Sequence, residues 1–515
     1  MSYSKQKEIV VLLLCVLIGF ALRFYTFDRK SLWLDEVYTY NDSKYDLKEH
    51  LTYYKEHPNY LQAPLFFILT HMFYPFTHPE RDLRIIPLVF GILSIPMIYF
   101  LAKAFSRRIA IPCTFSLTFM AYHISLSQEG RSYSLLLFLG IAGLYFFMKH
   151  LITLKKGYLI PTALLFAILF YTSYSSIPFI ALSQILWFYQ AREDGRKPNF
   201  SSFLGLNGLI FLFCLPWAFF LFSNYKSGMN IDLLQPDPSH SIWYILYGVF
   251  QDWAPHAPLT IASIILLILF PFFSKYRRNT IILLAIFTLP IAGLYTFCRL
   301  FSITHFITSR YFINFLPIFL ISIYLSLNTI EYKFNVFKRF VRLKYLFTIF
   351  FIASNLVILP FYYRSEKQDF RGLAIYLKNH LQNGDKIFIG PVATIPLLLH
   401  YLGASPEGRL YSIPYKKISE TEIEFRIFIT DRNRSIMVLH SKNHWTQYLT
   451  DANRVWIIVN KDTVKEVKRK FQCVLKGYFD GSFLNFTRFP TDASVCLLLW
   501  DPNSREEEGI DMPIE

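Results

Sequence analysis

The stretch SLWLDEVYTY, Ser31 to Tyr40, sets two adjacent acids, Asp35 and Glu36, in an aromatic, apolar run directly after a hydrophobic segment long enough to cross a bilayer. Carboxylates are unfavourable beside lipid, so acids kept there point to a task. A carboxylate can take a proton from an attacking hydroxyl or amine, or hold a divalent cation against a phosphate. Four other short segments supply complementary groups: Arg84; Gln128, Glu129, Arg131 and Tyr133 in SLSQEGRSYSLLL; Tyr171, Ser173 and Tyr174 in FYTSYSS; Arg310 and Tyr311 in ITSRYFINFLP. Arginine offers planar, paired donors that match a phosphate, and aromatic rings stack on sugars or line a lipid groove. Each group also has a plainer reading. The acids could cap a short interfacial helix, the arginines could anchor helix ends at headgroups, and the tyrosines could form an interfacial belt. Their convergence favours a site for an anionic, lipid-linked substrate.

The elements that would position them are membrane helices. The chain has 515 residues, is 53% hydrophobic and 18% aromatic, and has a mean hydropathy of +0.33. That composition, with repeated apolar runs near 20 residues, excludes an ordinary soluble domain. The net charge of +16 is spread in short clusters between apolar runs, which speaks against a nucleic-acid partner. Spans are expected at roughly 8–27, 84–102, 109–126, 133–150, 158–175, 177–190, 203–223, 259–273, 280–298, 311–328 and 345–362. The run at 63–76 is short for a span and reads as interfacial. With it left outside, the N-terminus and five loops on one side carry 19 Lys and Arg, against three in the short loops opposite. The positive-inside rule therefore predicts eleven spans, a cytoplasmic N-terminus and an external C-terminus in the cytoplasmic membrane.

The first outer loop, 28–83, belongs to a transmembrane unit, 1–362. From 363 to 515 the pattern changes to short strands and helices, as in KIFIGP, SIMVLH, RVWIIV, FQCVLKGYF and SVCLLLW, with a helix near 462–471. This predicts an external α/β domain on an α-helical polytopic membrane protein. Cys473 and Cys496 are the only cysteines in that domain, so a disulfide is open to them if their strands adjoin.

SLWLDEVYT resembles the acidic first-loop motif of the integral-membrane glycosyltransferases of the GT-C superfamily. The branch it resembles is the bacterial protein-mannosyltransferase-like and aminoarabinose-transferase-like group. QAPLFFILTHMF, PERDLRIIPLVFGIL, QEGRSYSLLLF, YTSYSS and SRYFINFLP resemble further segments of that family in the same order, over roughly residues 8–400. The resemblance implies transfer of a sugar from a polyprenyl-phosphate carrier, with inversion, at the outer membrane face. The acceptor it implies is a glycan, a glycolipid or a protein. It assigns Asp35 as general base or acceptor-side carboxylate, and Arg84, Arg131 and Arg310 to the donor phosphate. Two positions depart from the family: Gln62-Ala63-Pro64 stands for His-Pro-Pro and Thr172-Ser173-Tyr174 for Thr-His-Tyr. With those histidines missing, the sequence leaves open whether a divalent cation takes part.

The expected site therefore has Asp35 and Glu36 as catalytic carboxylates, Glu36 orienting Asp35 or sharing a cation. Arg84, Glu129, Arg131, Tyr133, Tyr174, Arg310 and Tyr311 are the expected substrate contacts. In-line displacement further predicts a sugar-sized gap, roughly 6–10 Å, between Asp35 and the nearest phosphate-binding arginine. A flippase for a lipid-linked anion and a surface-polysaccharide ligase or polymerase are the alternatives. Against a flippase, none of the expected spans carries a charge at its middle.

Overall fold

A computed structural model describes residues 3–56, 62–191, 198–224, 242–300, 309–333, 342–391, 394–403, 416–417, 423–431, 434–440, 454–483, 491–502 and 509–510. Among these, six helices are long and apolar enough to cross a membrane: Pro79–Phe105, Tyr133–Thr153, Phe200–Asn224, Arg277–Thr296, Ser309–Lys333 and Leu343–Arg364. Two bent pairs, Arg107–Phe119 with Ala121–Ser127 and Ile245–Trp253 with Ala257–Phe273, could bring the total to eight. The expected eleven spans add to these eight the first helix and two shorter apolar helices. The stretches 158–175 and 177–190, expected as spans, are shorter apolar helices, Lys156–Thr172 and Tyr174–Phe188. The first helix, Tyr3–Phe24, is long enough but carries Lys5, Lys7, Glu8 and Arg23. The run 63–76 holds a seven-residue helix, Leu65–His71, too short to cross.

The first bend, 59°, lies at Met120 and frees backbone groups on both sides. In an apolar interior those groups need partners. The buried Arg23 guanidinium donates to the carbonyls of Leu117 (2.9 Å) and Thr118 (3.1 Å), and Asn355 Oδ1 accepts from the Ala121 N–H at 2.8 Å. Just beyond, Gln128 donates to the carbonyls of Arg23 (2.8 Å) and Tyr25 (2.6 Å) and accepts from the Tyr362 hydroxyl (2.9 Å). The helix break thus fixes the turn that carries Glu129 and Arg131.

Among the described residues, the C-terminal region forms nine strands: β1 (386–389), β2 (416–417), β3 (423–431), β4 (434–440), β5 (455–460), β6 (474–479), β7 (482–483), β8 (491–492) and β9 (495–500). Seven build one sheet in the order β2-β3-β4-β1-β5-β9-β6, with β1 parallel to β4 and β5 and the other pairs antiparallel. Helices Phe370–His380 and Ile395–Leu402 pack on one face with Ile387, Trp456 and Leu497; Val464–Phe471 packs on the other with Phe388, Ile457 and Leu498. The five expected strands and the helix near 462–471 are present. Residues 423–431 form a further strand that the sequence reading passed over.

The strands of Cys473 and Cys496 do adjoin, yet no disulfide joins the two residues. Cys496 faces Tyr478, whereas Val474, next to Cys473, faces Leu499. That register sets the two cysteines roughly 13 Å apart along the strand, beyond disulfide reach. Leu32, Val37 and Leu83 of the first loop share the core of the first sheet face, so the helical unit and the sheet region meet directly above the acidic motif.

Candidate active site

Helix Leu34–Asp42 begins after Trp33 and places its two acids in different surroundings. Glu36 is fully buried. Its oxygens accept from Arg84 Nε and Nη2, both at 2.7 Å, from the Gly130 N–H at 2.6 Å and from the Trp33 N–H at 3.3 Å. Burial works against this charge, but Arg84 overrides it and holds the carboxyl below the usual carboxylate range. Arg84 also donates to the carbonyls of Phe27 (3.0 Å), Lys30 (2.9 Å) and Ser31 (3.0 Å). All five of its N–H groups are thereby committed to the protein.

This corrects two expectations. Arg84 has no donor left for a phosphate, and Glu36 is sealed behind it rather than oriented toward Asp35 or a cation. The pair joins the first loop, the start of the Ile85–Phe105 helix and the 128–132 turn. The turn is tightly packed at Gly130, where a Cβ would lie 3.0 Å from Leu83 Cβ and 3.2 Å from Glu36 Oε1.

Asp35 projects the other way, with 29% of its side chain exposed. Its Oδ2 accepts from Arg310 Nη1 at 3.3 Å, while its carbonyl and Thr39 Oγ1 accept from Arg131 Nη1 at 3.3 and 3.2 Å. Arg310 lies against the rings of Trp33 (5.1 Å to the centroid) and Tyr133 (5.7 Å). Its Nη1 is 3.8 Å from Glu129 Oε1, and the other oxygen of Glu129 accepts from Lys367 Nζ at 2.8 Å. The expected sugar-sized gap is therefore closed: the carboxylate and the nearest arginine are ion-paired.

Asp35, Glu129, Arg131, Tyr133 and Arg310 thus form one cluster. Tyr174 does not point into it; its hydroxyl accepts from Trp217 Nε1 at 3.0 Å, although its turn packs against 309–315. The Tyr311 side chain is exposed beside Arg310. Sequence reasoning missed Trp33, which stands two residues before Asp35, and Lys367, which lies in the polar run SEKQDF that marked only a boundary. It also missed Asp252, which falls between expected spans. The Ser309 hydroxyl bridges the Asp252 carboxylate and the Tyr122 hydroxyl, fixing the residue before Arg310. Among the described residues, no three of His, Cys, Asp and Glu converge as a metal-binding group.

An apolar helical unit, an acidic first loop and a sheet domain closing over it make up a fold that is shared with a solved membrane protein. Over nearly its whole length the chain is similar to apo ArnT from Cupriavidus metallidurans, a GT-C glycosyltransferase: TM-score 0.55, 11% identity, 97% of this chain and 98% of ArnT covered. ArnT bound to undecaprenyl phosphate gives 0.49 at 12% identity, covering 96% and 98%. The Archaeoglobus fulgidus oligosaccharyltransferase tethered with an acceptor peptide gives 0.47 at 11%, covering 90% and 70%. No protein-family model matches the sequence, and no curated protein matches it.

Proposed function

We propose that this protein transfers a sugar from a polyprenyl-phosphate-linked donor to an acceptor at the membrane face that carries the sheet domain. The carrying observation is the Asp35–Arg310 pair, a partly exposed carboxylate and guanidinium 3.3 Å apart beside Trp33 and Tyr133. Arg310 differs from Arg84 in having N–H groups to offer a ligand. The charge bias of the loops makes that face the extracytoplasmic one, in the cytoplasmic membrane.

Chemistry follows from exchanging partners. The donor phosphate enters between Asp35 and Arg310 and takes the guanidinium, with Arg131 beside it. Asp35, released, accepts the proton of the acceptor hydroxyl or amine as that atom bonds to the anomeric carbon. The bond from that carbon to the phosphate oxygen breaks, and polyprenyl phosphate leaves with the electron pair, its charge held by the arginines. Attack opposite the leaving group inverts the anomeric centre. Undecaprenyl phosphate, which ArnT binds, is the carrier to try first. The acceptor would be a glycan, a glycolipid or a protein.

Lipid extracts from cells expressing only Asp35→Asn test the reading. A polyprenyl-phosphate sugar absent from wild-type cells should accumulate. An unchanged lipid profile, with normal surface glycans, would overturn it.

A further inference from the structure

Glu129 supplies a second negative charge to the cluster. Its side chain is 5% exposed, Oε2 is taken by Lys367, and Oε1 is buried without a hydrogen-bond partner, 3.8 Å from Arg310. Arg310 thus stands between two carboxylates. Were both uncompensated, they would hold it against any third anion. Lys367 on the far oxygen of Glu129 offsets one of them, leaving Asp35 as the partner a phosphate must displace.

Lys367 comes from the sheet domain's entry segment, and its backbone is fastened on both sides. Glu366 Oε2 accepts from the Ser31 N–H (2.9 Å), and the Gln368 carbonyl accepts from the Ser31 hydroxyl (2.6 Å). On the sheet side, the Ser482 N–H donates to the Glu366 carbonyl (2.8 Å) and the Asp369 N–H to the Asp480 carbonyl (3.0 Å). Its ammonium lies 5.1 Å from the Trp33 ring centroid, the same ring that Arg310 lies against. Substrate need not touch Lys367 for it to matter.

We propose that Lys367 is a positioning residue: by balancing Glu129 it allows Arg310 to exchange Asp35 for the donor's phosphate. The sheet domain then contributes to donor binding as well as covering the site. This inference rests on the donor reading above.

Undecaprenyl phosphate without a sugar is the probe, titrated onto the purified full-length protein in detergent. Lys367→Met should weaken its binding about tenfold, a usual size for coupling within one charge network. Adding Glu129→Gln to that variant should restore affinity to within about threefold of wild type. Glu129→Gln alone should bind at least as tightly as wild type, which keeps the test open if Lys367→Met does not fold. Unchanged binding in Lys367→Met would overturn the inference and leave the donor reading standing. Weakened binding that Glu129→Gln does not rescue would make Lys367 merely structural and also overturn it, as would weaker binding by Glu129→Gln alone. No binding by the wild-type protein overturns the donor reading and this inference together.

Discussion

Asp35 and Glu36 are neighbours in sequence with opposite fates, and substitutions should separate them. Asp35→Asn keeps size and removes basicity, so turnover should fall on the order of 10²- to 10⁴-fold while the protein stays folded. Near-normal sugar transfer by that variant would return Asp35 to an interfacial role. The two arginines should separate as well. Arg84→Gln leaves Glu36 charged and unpaired in a fully buried position, which typically costs about 3–5 kcal/mol; loss of folded protein on size-exclusion chromatography is the expected outcome. Arg310→Gln removes the pair with Asp35, whose side chains are each more than a quarter exposed, worth about 0–1 kcal/mol, and leaves the buried Glu129 paired with Lys367. It should fold with an almost unchanged Tm yet lose affinity for polyprenyl phosphate. A stable Arg84→Gln variant with impaired donor binding would reverse these assignments. Gly130→Ala forces the new Cβ against Leu83 and Glu36 and should destabilise by about 1–3 kcal/mol, read as a lowered Tm.

At the scale of elements, the contact between the first loop and the sheet domain should respond to pH. The His400 ring, on helix Ile395–Leu402, lies edge-on to Tyr40 with centroids 4.7 Å apart. Burial, with help from Lys44, pushes its pKa down from 6.5 to about 4. Between those values the unfolded chain binds more protons than the folded one, so stability rises with pH across that window and is lost as pH falls through it. Thermal unfolding from pH 7 to pH 4 should show that acid limb, and His400→Gln should flatten it. Equal slopes for the two proteins would show that His400 does not carry the effect.

For the whole molecule, orientation decides whether the site faces the lipid-linked donors of the outer leaflet. Lys465 is exposed on helix Val464–Phe471 of the sheet domain. Lys275 lies in one of the basic loops on the opposite side of the expected topology. An impermeant maleimide should label Lys465→Cys in intact cells and Lys275→Cys only after permeabilisation. The reverse pattern would place the site in the cytoplasm.

The local composition of the chain was enough to anticipate a helical membrane-type protein, strands in its C-terminal part and one end of the molecule rich in acids, arginines and aromatics. Apolar runs and period-two strands are local signals, legible without knowing what packs against them. The ordered segments from SLWLDEVYT to SRYFINFLP likewise anticipated the fold. Partner choice was not local. Glu36 meets Arg84, 48 residues away, and Asp35 meets Arg310, 275 residues away; nothing in either dipeptide neighbour distinguishes the sealed acid from the open one. Arg84 and Arg310 read alike in sequence, and only packing commits every N–H of the first while leaving the second partly exposed. Lys367 and Asp252 entered through the same cause, since the break at Met120 and the docking of the sheet domain bring together residues that hydropathy placed in separate segments. Charges are assigned their work by burial and by what lies within about 4 Å, and those are properties of the folded chain.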